Sequence, residues 1–169
     1  MIKQAEIRNF PMQWEQRETI LSGGGGATLR GYAAIFGVKT EILGLWIEQI
    51  ERGAFSKTIQ EGDPLSLWGH NTDLVLGRKS AGTLSLREDA KGLAVVISLP
   101  DTTAGRDALV SVKRRDVRGM SIAFQIIRQT WVMPEDRKEL PLRIVSEIKL
   151  YEVSPVAFPA VEETSIEAN

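Results

Sequence analysis

The sequence predicts a mainly β domain of the α+β class. It reads as roughly seven or eight strands with one or two helices, closer to a β-barrel decorated by helices than to an alternating α/β sheet. Three observations carry this expectation. Apolar residues recur with a period of two, most clearly at Leu93, Val95, Ile97 and Leu99, which puts them on one face of a strand. The apolar runs are short and separated by turn residues such as Gly37-Val38-Lys39-Thr40 and Asp89-Ala90-Lys91-Gly92. Helical spacing is clear only once, between Asp101 and Arg115.

Residues 1–28 read as an N-terminal arm in which AEIRNFPMQWE supplies one strand. Four glycines, Gly23 to Gly26, then interrupt it, because they carry no side chains to pack and leave the backbone free. The main body, residues 29–164, opens with the strand-like LRGYAAIF and ILGLWIEQI. GAFSKTIQ, bounded by Gly53 and Gly62, is a short helix candidate. LSLW and LVLGR flank His70, and TLSLRED with GLAVVISLP forms a hairpin. In the main helix Asp101 or Thr102 can accept from the first-turn N–H groups. Ala104, Ala108, Leu109 and Val112 form its apolar stripe, and Lys113, Arg114 and Arg115 suit its negative end. SIAFQIIRQTWV and LRIVSEIKLYEV, joined by a charged loop from Pro134 to Pro141, are the last strands. Residues 165–169 are a tail.

Composition excludes several functions. Of 169 residues, 21 are Lys or Arg and 22 Asp or Glu, and the net charge of -1 argues against a dedicated nucleic-acid binder. There is no cysteine and one histidine, so disulfides, cysteine nucleophiles and multi-histidine metal centres are ruled out. No apolar run approaches the ~20 residues needed to span a bilayer, and no signal peptide is evident, so a soluble chain is expected.

His70, in LWGHNTD, is the one side chain that exchanges protons near neutral pH without a large shift. Taken alone it reads as a surface or satisfied core residue. Ser121, in RGMSIAF, puts a hydroxyl opposite Ile122, Phe124 and Ile126, and taken alone reads as a strand-start serine bonded to backbone. A hydroxyl needs a base to become a nucleophile, so the two residues become chemistry only together. A serine triad also needs a carboxylate to orient the imidazole. Glu152 falls on the apolar face set by Leu142, Ile144, Ile148 and Leu150, where a carboxylate needs a partner. Glu147, with Arg143 and Lys149, is the reserve. Because Ser121 lies opposite its own strand's apolar face, a bulge or a barrel covered on both faces must bring Glu152 to it. Arg78 is either an oxyanion or substrate support or a solvated surface cation. Lys113, Arg114, Arg115 and Arg118 read as a helix end, and the four tryptophans as core or interface.

The ordered segments LRGYAAIF, IERGAFSKTI, LWGHNTDLVLGRKSAGTLSL, LPDTTAGRDALVSVKRRDVRGMSIAF and EIKLYEVSPVAFPA resemble the prohead (capsid maturation) proteases of tailed bacteriophages, from Leu29 to Thr164. The resemblance implies a serine endopeptidase on a β-barrel of about seven strands surrounded by helices, similar to the herpesvirus capsid assembly proteases. His70 matches the family's histidine, with Gly69 and Asn71 standing where Asn and Asp are usual, and Ser121 matches the serine of its Gly-Met-Ser segment. The acidic member falls in EIKLYEVSPV, assigned to Glu152 with Glu147 in reserve. Further implications are cleavage of scaffold, major capsid protein and self inside the procapsid, in the host cytoplasm, by an oligomer activated on assembly. No membrane, specific nucleic acid, metal or cofactor enters this chemistry. Family members usually extend past the FPA segment, so the short VEETSIEAN end reads as a processed or truncated form. The alternatives are a catalytically silent scaffold or capsid-interaction module on the same barrel, and a peptide-binding β-domain unrelated to capsids.

Overall fold

The structure is a computed structural model that describes residues 5–11, 26–136 and 138–158. Two antiparallel strands dominate it, β9 (Gly119–Val132) and β10 (Leu142–Val156). Around them the order is β1 (Glu6–Pro11), β2 (Thr28–Ile35), β3 (Thr40–Ile42), β4 (Trp46–Ile50), α1 (Ser56–Glu61), β5 (Leu65–Trp68), β6 (Asn71–Arg78), β7 (Leu84–Glu88), β8 (Gly92–Ser98) and α2 (Thr103–Lys113). The protein is mostly β with two helices among the described residues, as the sequence leads one to expect.

The expected closed barrel is not formed. Seven strands make one sheet, ordered β1-β9-β10-β4-β3 with the β5–β6 hairpin also on β10, and β2-β8-β7 make a second. Among the described residues no ladder joins the two. The reason lies in β10. Its first residues pair in parallel with β4 and residues Glu152 and Val153 pair in parallel with β5. One edge of β10 thus serves two strands, and the sheet forks there instead of curling to closure.

The core lies between the sheets, with Leu29, Leu93, Val95 and Ile97 from the small sheet against Met120, Ile122, Phe124 and Ile148 from the large one. Period two therefore identified the buried face of β8 correctly. On α2 the buried residues are Gly105, Ala108 and Val112, and Thr102 caps the helix by accepting from the Gly105 N–H. Gly105 is required there, since an added Cβ would stand 2.0 Å from the Pro100 carbonyl oxygen. Trp46 and Trp131 pack edge to face, and Trp68 borders the core. Trp14, Gly23 to Gly25 and the 165–169 tail lie outside the described residues.

The strand within the N-terminal segment, β1, is the edge strand of the large sheet, antiparallel to β9. A buried charge cluster attaches it. Arg8 Nε meets Glu48 on β4 at 2.7 Å, and Arg143 on β10 reaches both Glu48 (3.2 Å) and Glu6 (3.1 Å). The Arg8 guanidinium also lies 5.7 Å from the Phe124 ring centroid. Two carboxylates and two guanidiniums balance, which lets Glu48, 4% exposed, stay buried. Burial alone would raise the Glu6 carboxyl, but Arg143 and then Arg8 outweigh it and hold it below the ordinary glutamate value.

A carboxyl lowered on folding adds stability that is complete above its unfolded value, near ~4.3, and is lost as pH falls through the folded value. The denaturation midpoint should therefore hold from about pH 7 to about pH 5 and fall below that, and Glu6→Gln should flatten part of the fall. Arg143→Met leaves two carboxylates sharing the single guanidinium of Arg8 and should cost about 3 kcal/mol in chemical denaturation.

Candidate active site

His70 sits in a two-residue turn between β5 and β6, closed by the Trp68–Asn71 pair. Gly69 and His70 both have positive φ, 59° and 64°, the combination that a type I′ hairpin turn demands. Glycine adopts it freely, while histidine does so uncommonly. The turn is tied to β10 by two bonds: Gly69 N–H donates to the Pro155 carbonyl (3.2 Å), and His70 N–H donates to the Ser154 hydroxyl (3.2 Å).

This turn delivers the imidazole to Glu152. His70 Nδ1 lies 2.5 Å from Glu152 Oε1, and the Ser154 hydroxyl donates to Glu152 Oε2. Glu152 is only 6% exposed, so these contacts supply the partners a buried carboxylate requires. A carboxylate only accepts, so in the neutral ring the contact assigns the hydrogen to Nδ1 and the lone pair to Nε2. That second nitrogen is buried and has no hydrogen-bond partner among the described residues.

Ser121 reaches the same face through strand register. A bulge lies in β10 between Leu150 and Glu152: Leu150 pairs with Phe124, but Glu152 pairs with Ala123. Tyr151 is the extra residue, and it reverses the phase of the strand. Leu150 and Val153 consequently both face the core, while Glu152 and Ser154 face the other way. On the edge of β10 opposite β9, the Leu150 N–H donates to the buried Thr58 hydroxyl of α1, at 3.0 Å, and the Ile148 N–H to the Ala54 carbonyl. Ser121 is the ladder partner of Ser154, and directly opposed residues share a face. Neighbouring strands lie about 4.8 Å apart, so Ser121 stands one strand from the residue that holds the His70 turn. Its hydroxyl is not on the imidazole, however. It donates to the Arg8 carbonyl of β1 at 3.2 Å.

The other anticipated residues stand elsewhere. Glu147 pairs with Arg128 (2.8 Å) and Lys57 (3.5 Å) instead of with His70. Arg78 is at the far end of β6, on the order of 25 Å along the strand from the turn, and its guanidinium binds Asp63 at 2.6 Å. The phase read for β10 also needs correction at its start: Arg143 and Val145 are buried ahead of Leu142 and Ile144, because further register shifts flank Glu147. Lys113 closes α2 and Arg114 pairs with Asp116, the helix-end roles expected. Ser154 was missed. Its signal was its place two residues beyond Glu152, on the same strand face.

The profile of one family, described as caudovirus prohead serine protease, matches residues 13–169. No curated protein and no solved structure matches the chain.

Ser154→Ala removes the donor to Glu152 Oε2 and the acceptor for the His70 N–H. It should lower stability by about 1–3 kcal/mol, read in chemical denaturation. Loosening the turn by ~1 Å should also reduce kcat about 100-fold with little change in KM, read with a peptide substrate.

Proposed function

The chain belongs to the caudovirus prohead serine proteases, and from that premise we propose that Ser121 is its nucleophile, His70 its general base and Glu152 the carboxylate that orients the imidazole. What supports this reading is the bonded unit of Glu152, Ser154 and the His70 turn, with a free Nε2, beside the strand position of Ser121.

The chemistry is acyl transfer. The Ser121 hydroxyl turns from Arg8 to His70, and Nε2 takes its proton as Oγ bonds to the scissile carbonyl carbon. The tetrahedral adduct collapses, the C–N bond breaks, and the imidazolium returns its proton to the leaving amine. Water then enters, gives a proton to Nε2 and cleaves the acyl ester, releasing the new C-terminus and restoring the serine. Glu152 stays ionised and stabilises the imidazolium against it. Neither Arg78 nor Glu147 takes part.

A prohead serine protease acts in capsid maturation. The substrates of this reading are the major capsid precursor, its scaffold segment and the protease itself, cut inside the procapsid in the host cell. An oligomer built during assembly is the working form.

Co-expression with the capsid–scaffold precursor, followed by intact-mass analysis, tests this directly. The parent chain should yield defined fragments, absent with Ser121→Ala and His70→Ala while both variants remain folded. Glu152→Gln should slow cleavage roughly 10³–10⁴-fold, because the amide favours the wrong tautomer. Cleavage that persists in both Ala variants would remove these residues from the mechanism. Shells that assemble uncut around the parent chain would favour a silent scaffold module instead.

A further inference from the structure

The outer edge of β9 is where β1 and the nucleophile meet. β1 runs antiparallel along it, from Pro11 opposite Gly119 to Glu6 opposite Phe124, with Asn9 opposite Ser121. Ser121 is 0% exposed. Its hydroxyl has one proton, and a proton donated to the Arg8 carbonyl is not available to His70 Nε2.

The position of that carbonyl is informative. Attack needs the serine oxygen within about 3–3.5 Å of a carbonyl carbon, whereas here the contact is a 3.2 Å hydrogen bond to the carbonyl oxygen of an extended strand that lies along the nucleophile. The hydroxyl donates to the oxygen, so β1 is bound without being attacked. A sheet edge presents a row of N–H and C=O groups, and an extended peptide can pair with them by strand addition. The edge beside Ser121 is such a template, and a segment of this chain already uses it.

We propose that the outer edge of β9, from Gly119 to Phe124, is the substrate-docking edge. The polypeptide to be cut pairs there as an antiparallel strand, and β1 is a resident competitor that must leave first. This rests on the assignment of Ser121 as the nucleophile.

The attachment of β1 suits a removable strand. It has six residues and lies at a sheet edge, where strands open at low cost compared with central ones. Ile7 is 54% exposed and adds little packing. The hold comes from Glu6 and Arg8, one charge of each sign. When both depart, Glu48 and Arg143 still have each other at 3.2 Å, so no buried charge is left alone. β1 also lies before residues 13–169, the part that matches the protease family.

The test is the rate at which a small fluorophosphonate labels Ser121 in the full chain, located by peptide mapping. The chain has no cysteine, so Ile7→Cys with Ala123→Cys, at ladder partners, adds a single disulfide that locks β1 in place. Opposed Cα atoms in antiparallel strands are about 4.5–5.5 Å apart, within disulfide reach. The oxidised form should label at least tenfold more slowly than the same protein reduced. Glu6→Ala with Arg8→Ala should label at least tenfold faster than the parent. If that double variant does not fold, the oxidised and reduced pair decides alone. Equal labelling of Ser121 in oxidised and reduced forms would overturn the proposal while leaving the nucleophile in place. Absence of label at Ser121 in every form, the reduced one included, would remove the nucleophile assignment and this proposal with it.

Discussion

Everything at the site depends on one extra residue in β10. A regular strand would place Glu152 on the same face as Leu150, in the core, where a carboxylate would lack its partners and could not meet Ser121. The bulge at Tyr151 reverses the strand's phase and puts Glu152 and Ser154 on the face that carries Ser121. The irregularity has its own support. On the other edge of β10 the Leu150 N–H donates to the buried Thr58 hydroxyl, so this buried donor beside the bulge is paired. Bulges that re-aim a side chain beside a functional site are a recurring device in sheets.

A second constraint is the turn that carries the base. Histidine at positive φ is held against its own preference, and the fold offsets this with two bonds from the turn to Pro155 and Ser154. Ser154 thereby serves both the backbone of His70 and the carboxylate that faces its ring. A single hydroxyl couples turn conformation to ring orientation, so a disturbance of either is felt by both. The charge cluster around Glu48 and Arg143 does related work at the other face, by fixing the strand that contacts Ser121.

Much of this was legible in the residues. Alternation identified the buried face of β8, helical spacing and a cap at Asp101 or Thr102 identified α2, and the apolar flanks of LWGHNTD placed His70 between two strands. Opposite phases for Ser121 and Glu152 called for a bulge or a barrel covered on both faces, and the structure supplies the bulge, at Tyr151. What stayed hidden depended on long-range pairing. The fork at β10 arises because β4 and β5 share one edge, which no local pattern records. Arg78 looked close to His70 in sequence, but an extended strand carries it far away. The contacts of Ser154 with the His70 backbone and of Arg8 with Ser121 span 84 and 113 residues of sequence.

Because the chain has one histidine, nitrogen-15 NMR of its imidazole reports on this site without assignment ambiguity, and it tests the central geometry most directly. In the neutral ring the account predicts a hydrogen on Nδ1 and none on Nε2, with Glu152→Gln abolishing that preference. A ring protonated at Nε2 in the folded protein, or a tautomer balance indifferent to Glu152→Gln, would contradict it.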